Sequence, residues 1–247
     1  MVSLIVLILD ESGSMTHTAE ETVRSINDYI SGLEPDQLFT FVTFATATDS
    51  VRITQVYKEL PVSQVPPILP PVFSLIDTQE PEPTSEPVQY RFNPCGGTPL
   101  CEAILRTLEC LTPEYLFEHN ITSVVTVIVT DGMDNSSGSG YTHERVREFL
   151  QTTSFTTIYL GADQDAVEIG CSYGIRPELS LQTPNGFSSC VPALSRVTTM
   201  ASSGAVPAFS AVERQQSAPV RHHPHPLHQE AGIMSPPTLR RLRTDVF

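Results

Sequence analysis

The chain has 247 residues and a formal net charge of −14, with one lysine and thirteen arginines. A body this acidic repels nucleic-acid phosphates and anionic membranes, so we expect neither as a partner. It contains no apolar run of about 18 residues, so no membrane-spanning helix is predicted. The five cysteines form no CxxC pair, which disfavours a zinc site or a disulfide framework and favours a reducing compartment, the cytoplasm by default.

The chain opens on an apolar run over residues 2–9, interrupted only by Ser3. Such a run, followed by turn residues, predicts a buried parallel strand. A signal peptide is disfavoured because no basic residues precede the run and Asp-Glu follows it at once. The next segment carries a capping-box pattern, from Thr18 to Glu21, and then apolar residues at helical spacing. It predicts a helix over residues 19–33.

Two runs rich in β-branched and aromatic residues follow, over residues 38–45 and 51–57. The short polar segment between them predicts a hairpin. The second strand is therefore expected to run antiparallel at the edge of the sheet.

Residues 58–94 differ from the rest of the chain, because nine of its 21 prolines lie there together with a group of acidic residues. Proline at this density excludes a helix or a central strand, although residues 72–76 could form a short strand. We interpret the stretch as a long insertion in the domain. It is either a solvated loop or, as the sharper alternative, a proline-rich arm that binds a partner.

A second helix is predicted where Thr98 fits the N-cap and Pro99 the first helical position. Its buried stripe consists of Leu100, Ile104, Leu108 and Leu111. The most β-prone run of the chain, residues 121–130, then ends in Asp131-Gly132. Further elements are predicted as a helix from residue 142, a strand over 155–160, a short helix over 165–173 and a last helix that begins near residue 191.

This order of elements predicts an α/β fold: a doubly wound, mostly parallel sheet with one antiparallel edge strand and helices on both faces. The domain is expected over residues 1–204. Residues 205–247 mix Ala, Ser, Pro, His and Arg with little apolar periodicity, which predicts a disordered tail. Its histidine cluster at 222–228 could bind soft divalent ions.

Three loops carry oxygen ligands. Asp10, Ser12 and Ser14 follow the first strand and Asp131 follows the most β-prone one, so both groups lie at the carboxyl edge of the sheet, where open α/β sheets bind ligands. Thr98 precedes a helix that must begin near the same edge. Carboxylates and hydroxyls suit Mg²⁺ or Mn²⁺. Two carboxylates neutralise such an ion, and one coordination position remains for a carboxylate from outside.

These motifs resemble the von Willebrand factor A (vWA) domain with its metal-ion-dependent adhesion site, whose pattern is a DxSxS loop, a distant Thr and a distant Asp. Here they are Asp10-Ser12-Ser14, Thr98 and Asp131, in that order. The resemblance implies that the three hydroxyls bind the metal and that the two carboxylates act directly or through water. It also implies that an acidic residue of a partner completes the metal shell.

The resemblance covers residues 1–200. The residues in and around its motifs are similar to those of the intracellular and bacterial branch of the family. The insertion at 58–94 departs from the compact family pattern. We therefore predict a non-enzymatic, Mg²⁺-dependent module that binds a protein presenting Asp or Glu.

Two other hypotheses stay open. One is a regulatory subunit of an ATP-driven machine, as some intracellular relatives are, since the chain has no nucleotide loop of its own. The other is a hydrolase that uses the ion as a Lewis acid. A catalytic triad of Ser14, His17 or His143, and Asp131 has no oxyanion element beside it. An aspartyl phosphotransferase would need a carboxylate at position 12.

Overall fold

The computed structural model describes residues 2–48, 50–72, 89–162, 165–183 and 187–216. Its strands are β1 Val2–Asp10, β2 Leu38–Ala47, β3 Ser50–Pro61, β4 Ile121–Thr130, β5 Thr156–Gly161 and β6 Ser180–Gln182. They form one six-stranded sheet in the order β3-β2-β1-β4-β5-β6. All neighbours run parallel except β2 and β3, which are antiparallel. The predicted mostly parallel α/β sheet with one antiparallel edge strand is therefore confirmed.

The helices are α1 Ala19–Ser31, α2 Leu100–Leu108, α3 Pro113–Glu118, α4 His143–Thr152, α5 Ala166–Ser172, α6 Val191–Ser202 and α7 Ala211–Gln216. Helix α1 packs against α6, and α2 packs against α4. Strands β1 and β4 are neighbours near the middle of the sheet, and residues 4–9 are essentially inaccessible to solvent. Apolar residues point to both sides of β1 and β4, because both faces of a central parallel strand are covered.

The capping box predicted at the start of α1 was wrong. The Thr18 hydroxyl donates to the Met15 carbonyl, and the Glu21 carboxylate accepts from the backbone and hydroxyl of Ser188. A 3₁₀ segment, Gly13–Thr18, runs directly into α1. Its carbonyls can accept from the first amides of the helix, so no side-chain cap is needed.

Within residues 1–204, the sequence analysis missed two short elements, α3 and β6. Helix α3 has Thr112 as its N-cap, which accepts from the Tyr115 amide, and Pro113 at its first position. This Thr-Pro pair is a helix-start signal that was interpreted only as the end of α2. Strand β6 has three residues, which is too short for a detectable apolar pattern.

The base of the insertion, which we define as residues 62–72 and 89–94, is folded onto the domain. Ile68 and Phe92 are buried, and the Asn27 side chain pairs with both backbone groups of Ile68 at 2.9 Å. The two arms also pair with each other, because the Leu69 amide donates to the Tyr90 carbonyl at 2.9 Å. The prediction of a solvated loop was therefore wrong for the base, and residues 58–61 belong to β3. The strand predicted over 72–76 lies outside the described residues, apart from Val72.

The folded chain continues past residue 204. Phe209 is 2% exposed, its amide donates to the Glu178 carbonyl at 2.8 Å, and Glu213 of α7 pairs with Arg196 of α6 at 2.6 Å. The tail predicted from residue 205 was thus wrong for residues 205–216, and residues 217–247 lie outside the described residues. In the described part of the chain, no helix is long and apolar enough to cross a membrane.

Candidate metal centre

The three predicted loops meet beyond the carboxyl ends of β1 and β4. Asp10 is the last residue of β1, and Asp131 directly follows β4. The loop before α2 joins them, because the Gly13 amide donates to the Gly96 carbonyl at 2.9 Å. The site is therefore built from segments that are far apart in the chain.

A continuous chain of hydrogen-bond contacts links four of the five candidate ligands. Asp10 Oδ1 accepts from the Ser12 amide at 2.7 Å, and the hydroxyls of Ser12 and Ser14 lie 3.0 Å apart. Ser14 Oγ then donates to Asp131 Oδ1 at 2.7 Å. A methyl group at Gly132 would lie 3.5 Å from Thr98 Oγ1, which places that hydroxyl against the Asp131-Gly132 turn. The structure thus brings together all five residues that the sequence singled out.

The cluster has a buried side and an open side. Asp10, Ser12 and Thr98 are almost fully buried, whereas Ser14 is exposed and Asp131 is partly exposed. A ligand from outside would therefore approach from the side of Ser14 and Asp131.

Burial raises the pKa of the Asp10 carboxyl to about 6. Hydrogen bonds from Thr130 and Ser12 oppose this shift, and the neighbouring Asp131 charge adds to it. The Thr130 hydroxyl donates to Asp10 Oδ2 at 2.6 Å, so both Asp10 oxygens accept from uncharged donors. A carboxylate in such a position is stabilised when a cation lies beside it.

Comparison with known proteins supports the architecture. No family model matches the sequence, and no curated protein matches it. Among solved structures, proximal thread matrix protein 1 from the mussel byssus is similar, with a TM-score of 0.52 and 14% identity over 81% of this chain. A von Willebrand factor type A protein from Catenulispora acidiphila gives a TM-score of 0.50 and 14% identity over 81% of the chain. The chain has the von Willebrand factor A fold.

This vWA-like chain spans less than half of those structures, covering 46% of the mussel protein and 43% of the Catenulispora protein. A second structure of the mussel protein, with a zinc-occupied MIDAS motif, covers 80% of this chain at a TM-score of 0.52 and 15% identity. At such identities the likeness concerns the fold alone.

The sequence predicts Thr98 as the N-cap of α2, and in this vWA fold that prediction was wrong. The cap is Pro99, and α2 begins at Leu100. The Asn135 side chain accepts from the Thr98 amide at 2.8 Å, and the Thr98 carbonyl accepts from the Asn135 amide at 3.0 Å. Thr98 is thereby fixed as part of the site, and its hydroxyl is not used by the helix.

The amides at the start of α2 are capped by the loop that follows β4. Asp134 Oδ2 accepts from the Cys101 amide at 2.7 Å, and Ser137 Oγ accepts from the Glu102 amide at 2.9 Å. Sequence reasoning missed Asp134, Asn135 and Ser137. Their residue types are typical of caps, but the helix that they cap lies more than thirty residues earlier in the chain.

The two glycines before Thr98 are required by close approach. Gly96 has a φ of +68°, and a methyl group there would lie 2.0 Å from the Thr46 carbonyl oxygen. At Gly97 a methyl group would lie 2.3 Å from Ser136 Oγ. The Gly-Gly pair thus lets the Thr98 loop pass between the β2–β3 hairpin and the loop after β4.

We expect Asp134→Ala to lower the free energy of unfolding by about 1–2 kcal/mol, because it removes a charged acceptor from the first turn of α2. The measurement is urea unfolding in EDTA, so that no bound metal contributes to stability. Asp36→Ala is the matched control, since Asp36 is exposed; a change within about 0.5 kcal/mol is expected for it. Equal stability of the two variants would contradict the capping role.

Proposed function

We propose that this chain is a Mg²⁺-dependent protein-binding module, whose metal is held by Asp10, Ser12, Ser14, Thr98 and Asp131 and completed by an acidic residue of a partner. The observation that carries the proposal is the chain of hydrogen-bond contacts from Asp10, through the Ser12 amide and both serine hydroxyls, to Asp131. Adjacent ligands of an octahedral Mg²⁺ lie about 2.9 Å apart, because each metal–oxygen distance is about 2.0–2.1 Å. The separations of 3.0 Å and 2.7 Å along the hydroxyl part of the chain are close to this spacing.

The donor set favours a hard cation. Across the described residues, no three side chains of His, Cys, Asp or Glu gather as a metal site. A cation here would therefore rely on hydroxyls and two carboxylates, which suit Mg²⁺ or Mn²⁺ better than a soft metal. Two carboxylates cancel the charge of a divalent ion without exceeding it. The ion would then keep its attraction for one more carboxylate, supplied by the partner.

The contacts at the site support binding over catalysis. The Ser14 hydroxyl donates to Asp131, and the His143 ring stacks on Tyr173 with its Nε2 atom 3.3 Å from the Tyr173 hydroxyl. Neither contact joins Ser14 to His143, so these contacts give no support to the form of the triad that uses His143. A bound cation would attract an anionic ligand, and that ligand could reach it past the exposed Ser14 and the partly exposed Asp131.

The test uses immobilised chain and a peptide library. Each peptide presents a central Asp or Glu, and a matched control peptide carries Asn or Gln at that position. We expect acidic peptides to be retained in Mg²⁺, released by EDTA and retained again when Mg²⁺ is restored. Retention of the amide peptides at the same level, or retention in EDTA, would contradict a metal-mediated contact.

The other functional hypotheses stay predictions. A regulatory role in an ATP-driven machine would use the same chemistry, with the acidic residue on that machine. A hydrolase would need turnover that depends on the metal, and a generic phosphoester assay in Mg²⁺ checks it.

All five cysteines are free, which supports the reducing, cytoplasmic compartment expected from the sequence.

A further inference from the structure

Glu11 lies between two of the proposed metal ligands in sequence, yet its side chain contacts the base of the insertion. Its Oε1 atom accepts from the Tyr90 hydroxyl and from the Asn93 amide, each at 2.6 Å. Its Oε2 atom pairs with Arg52 Nη2 of β3 at 3.1 Å. The side chain is 2% exposed. A buried carboxylate is costly unless donors satisfy it, and here three groups do so.

The backbone of Glu11 adds a second connection, to the residue that directly follows the insertion base. The Glu11 carbonyl accepts from the Cys95 amide at 2.8 Å, and the Glu11 amide donates to the Phe44 carbonyl at 2.8 Å. Glu11 is thus the residue at which the metal loop, the end of β2 and the insertion base meet.

The path from this junction to Thr98 is short and held at each step. After Cys95, the Gly96 carbonyl accepts from the metal loop, and Gly97 pairs with Thr46 through both its amide and its carbonyl. The Thr98 hydroxyl follows directly. A displacement of the insertion base at Asn93 would therefore strain the anchored run from Cys95 to Gly97, which leads directly to Thr98.

We infer that Glu11 is a positioning residue that couples the base of the insertion to the metal site, so that each stabilises the other. This inference rests on the proposed function, since it concerns the same metal. Coupling between two sites is reciprocal by thermodynamic linkage. Contacts that hold the insertion base onto Glu11 strengthen metal binding, and the metal in turn tightens those contacts.

The Tyr90 hydroxyl is the contact best suited to a test. Burial and the charge of Glu11 raise the pKa of Tyr90, so its hydroxyl stays protonated and acts as a donor. Tyr90→Phe removes the donor and keeps the ring, which packs edge-on against Phe41 with centroids 5.6 Å apart. Tyr57→Phe is the matched control. Its ring also packs on Phe41, at 6.1 Å, but its hydroxyl donates to the Pro66 carbonyl on the other arm of the base.

Mg²⁺ alone is titrated into the wild-type chain and into both variants by calorimetry. We expect Tyr90→Phe to weaken Mg²⁺ binding by about threefold to tenfold, and Tyr57→Phe to leave it within about twofold of wild type. Equal affinities in the two variants overturn the inference and leave the proposed function intact. A wild-type chain that binds no Mg²⁺ overturns the proposed function itself, and the inference with it.

Hydrogen exchange of the wild-type chain separates coupling from a purely structural role of Glu11, because Mg²⁺ would not change the exchange rates if the role were only structural. Mg²⁺ should slow exchange of the Asn93 amide, which donates to Glu11, by about threefold or more. The Ile68 amide lies on the other arm of the base and donates to the Asn27 side chain of α1. It is the internal control and should exchange at the same rate with and without Mg²⁺. An Asn93 amide that does not respond to Mg²⁺ overturns the coupling, even if Tyr90→Phe lowers affinity.

Discussion

Asp10→Asn is expected to weaken Mg²⁺ binding by about 100-fold or more while leaving the metal-free fold as stable as wild type. The variant removes one of the two charges proposed to hold the cation. The shape of the side chain is kept, and its oxygen can still accept from the Ser12 amide. The new amide would donate to the Thr130 hydroxyl, which can then donate to the Gly132 carbonyl 3.0 Å away. The local network is thus satisfied without the charge.

Two measurements check this result. Calorimetric titration gives the Mg²⁺ affinity, and thermal unfolding in EDTA and in Mg²⁺ gives the stabilisation by metal, about 2.7 kcal/mol for wild type when the ion is present at 100 times its dissociation constant. Asp28→Asn removes the same charge from an exposed position on α1 and should bind Mg²⁺ like wild type. Wild-type affinity in Asp10→Asn would rule out the proposed metal centre.

A chain ended at residue 204 is expected to be less stable than one ended at residue 216 by about 3–5 kcal/mol, which is the usual cost of removing a buried phenylalanine side chain. The longer chain retains Phe209 in the core and the Glu213–Arg196 pair on α6. The shorter one exposes the surface that Phe209 covers. For a domain of this size the loss corresponds to about 10 °C in the melting temperature.

Urea unfolding of the two truncated chains measures this difference. Phe209→Ala in the full chain should reproduce most of the loss, whereas Val206→Ala, at a residue that is 75% exposed, should change stability by less than about 0.5 kcal/mol. If the chains ended at 204 and 216 unfold at the same urea concentration, residues 205–216 do not belong to the folded unit.

Local patterns were sufficient for the sheet and for the candidate ligands. The apolar runs of β1 and β4 mark central strands, and in a parallel sheet their carboxyl ends share one edge. The sequence therefore predicts that the residues that follow these runs, Asp10 and Asp131, lie close together. The prediction for Thr98 was wrong in one part, because it made Thr98 the N-cap of α2, a position that Pro99 occupies.

Long-range contacts explain what the sequence analysis missed. The Glu11 side chain bonds to residues 79 and 82 positions later, and Asp134 caps a helix that begins before it in the chain. No periodicity connects such positions. The prolines of the insertion base exclude regular helices and central strands, so its sequence predicts a loop. It is nevertheless held by side chains such as Asn27, which bond to its backbone as a neighbouring strand would.

The amino-acid sequence by itself determined the α/β sheet, its antiparallel edge and the five oxygen-bearing residues of the candidate centre, because each follows from a strand, a turn or a spacing within a few residues. Only the tertiary structure decided that Glu11 bonds to the insertion base, that Asp134 caps α2, and that the fold continues to α7. Those features depend on which distant segments meet when the core forms. A buried carboxylate is stable only where such segments supply hydrogen-bond donors, and an aromatic ring is buried only where they cover it.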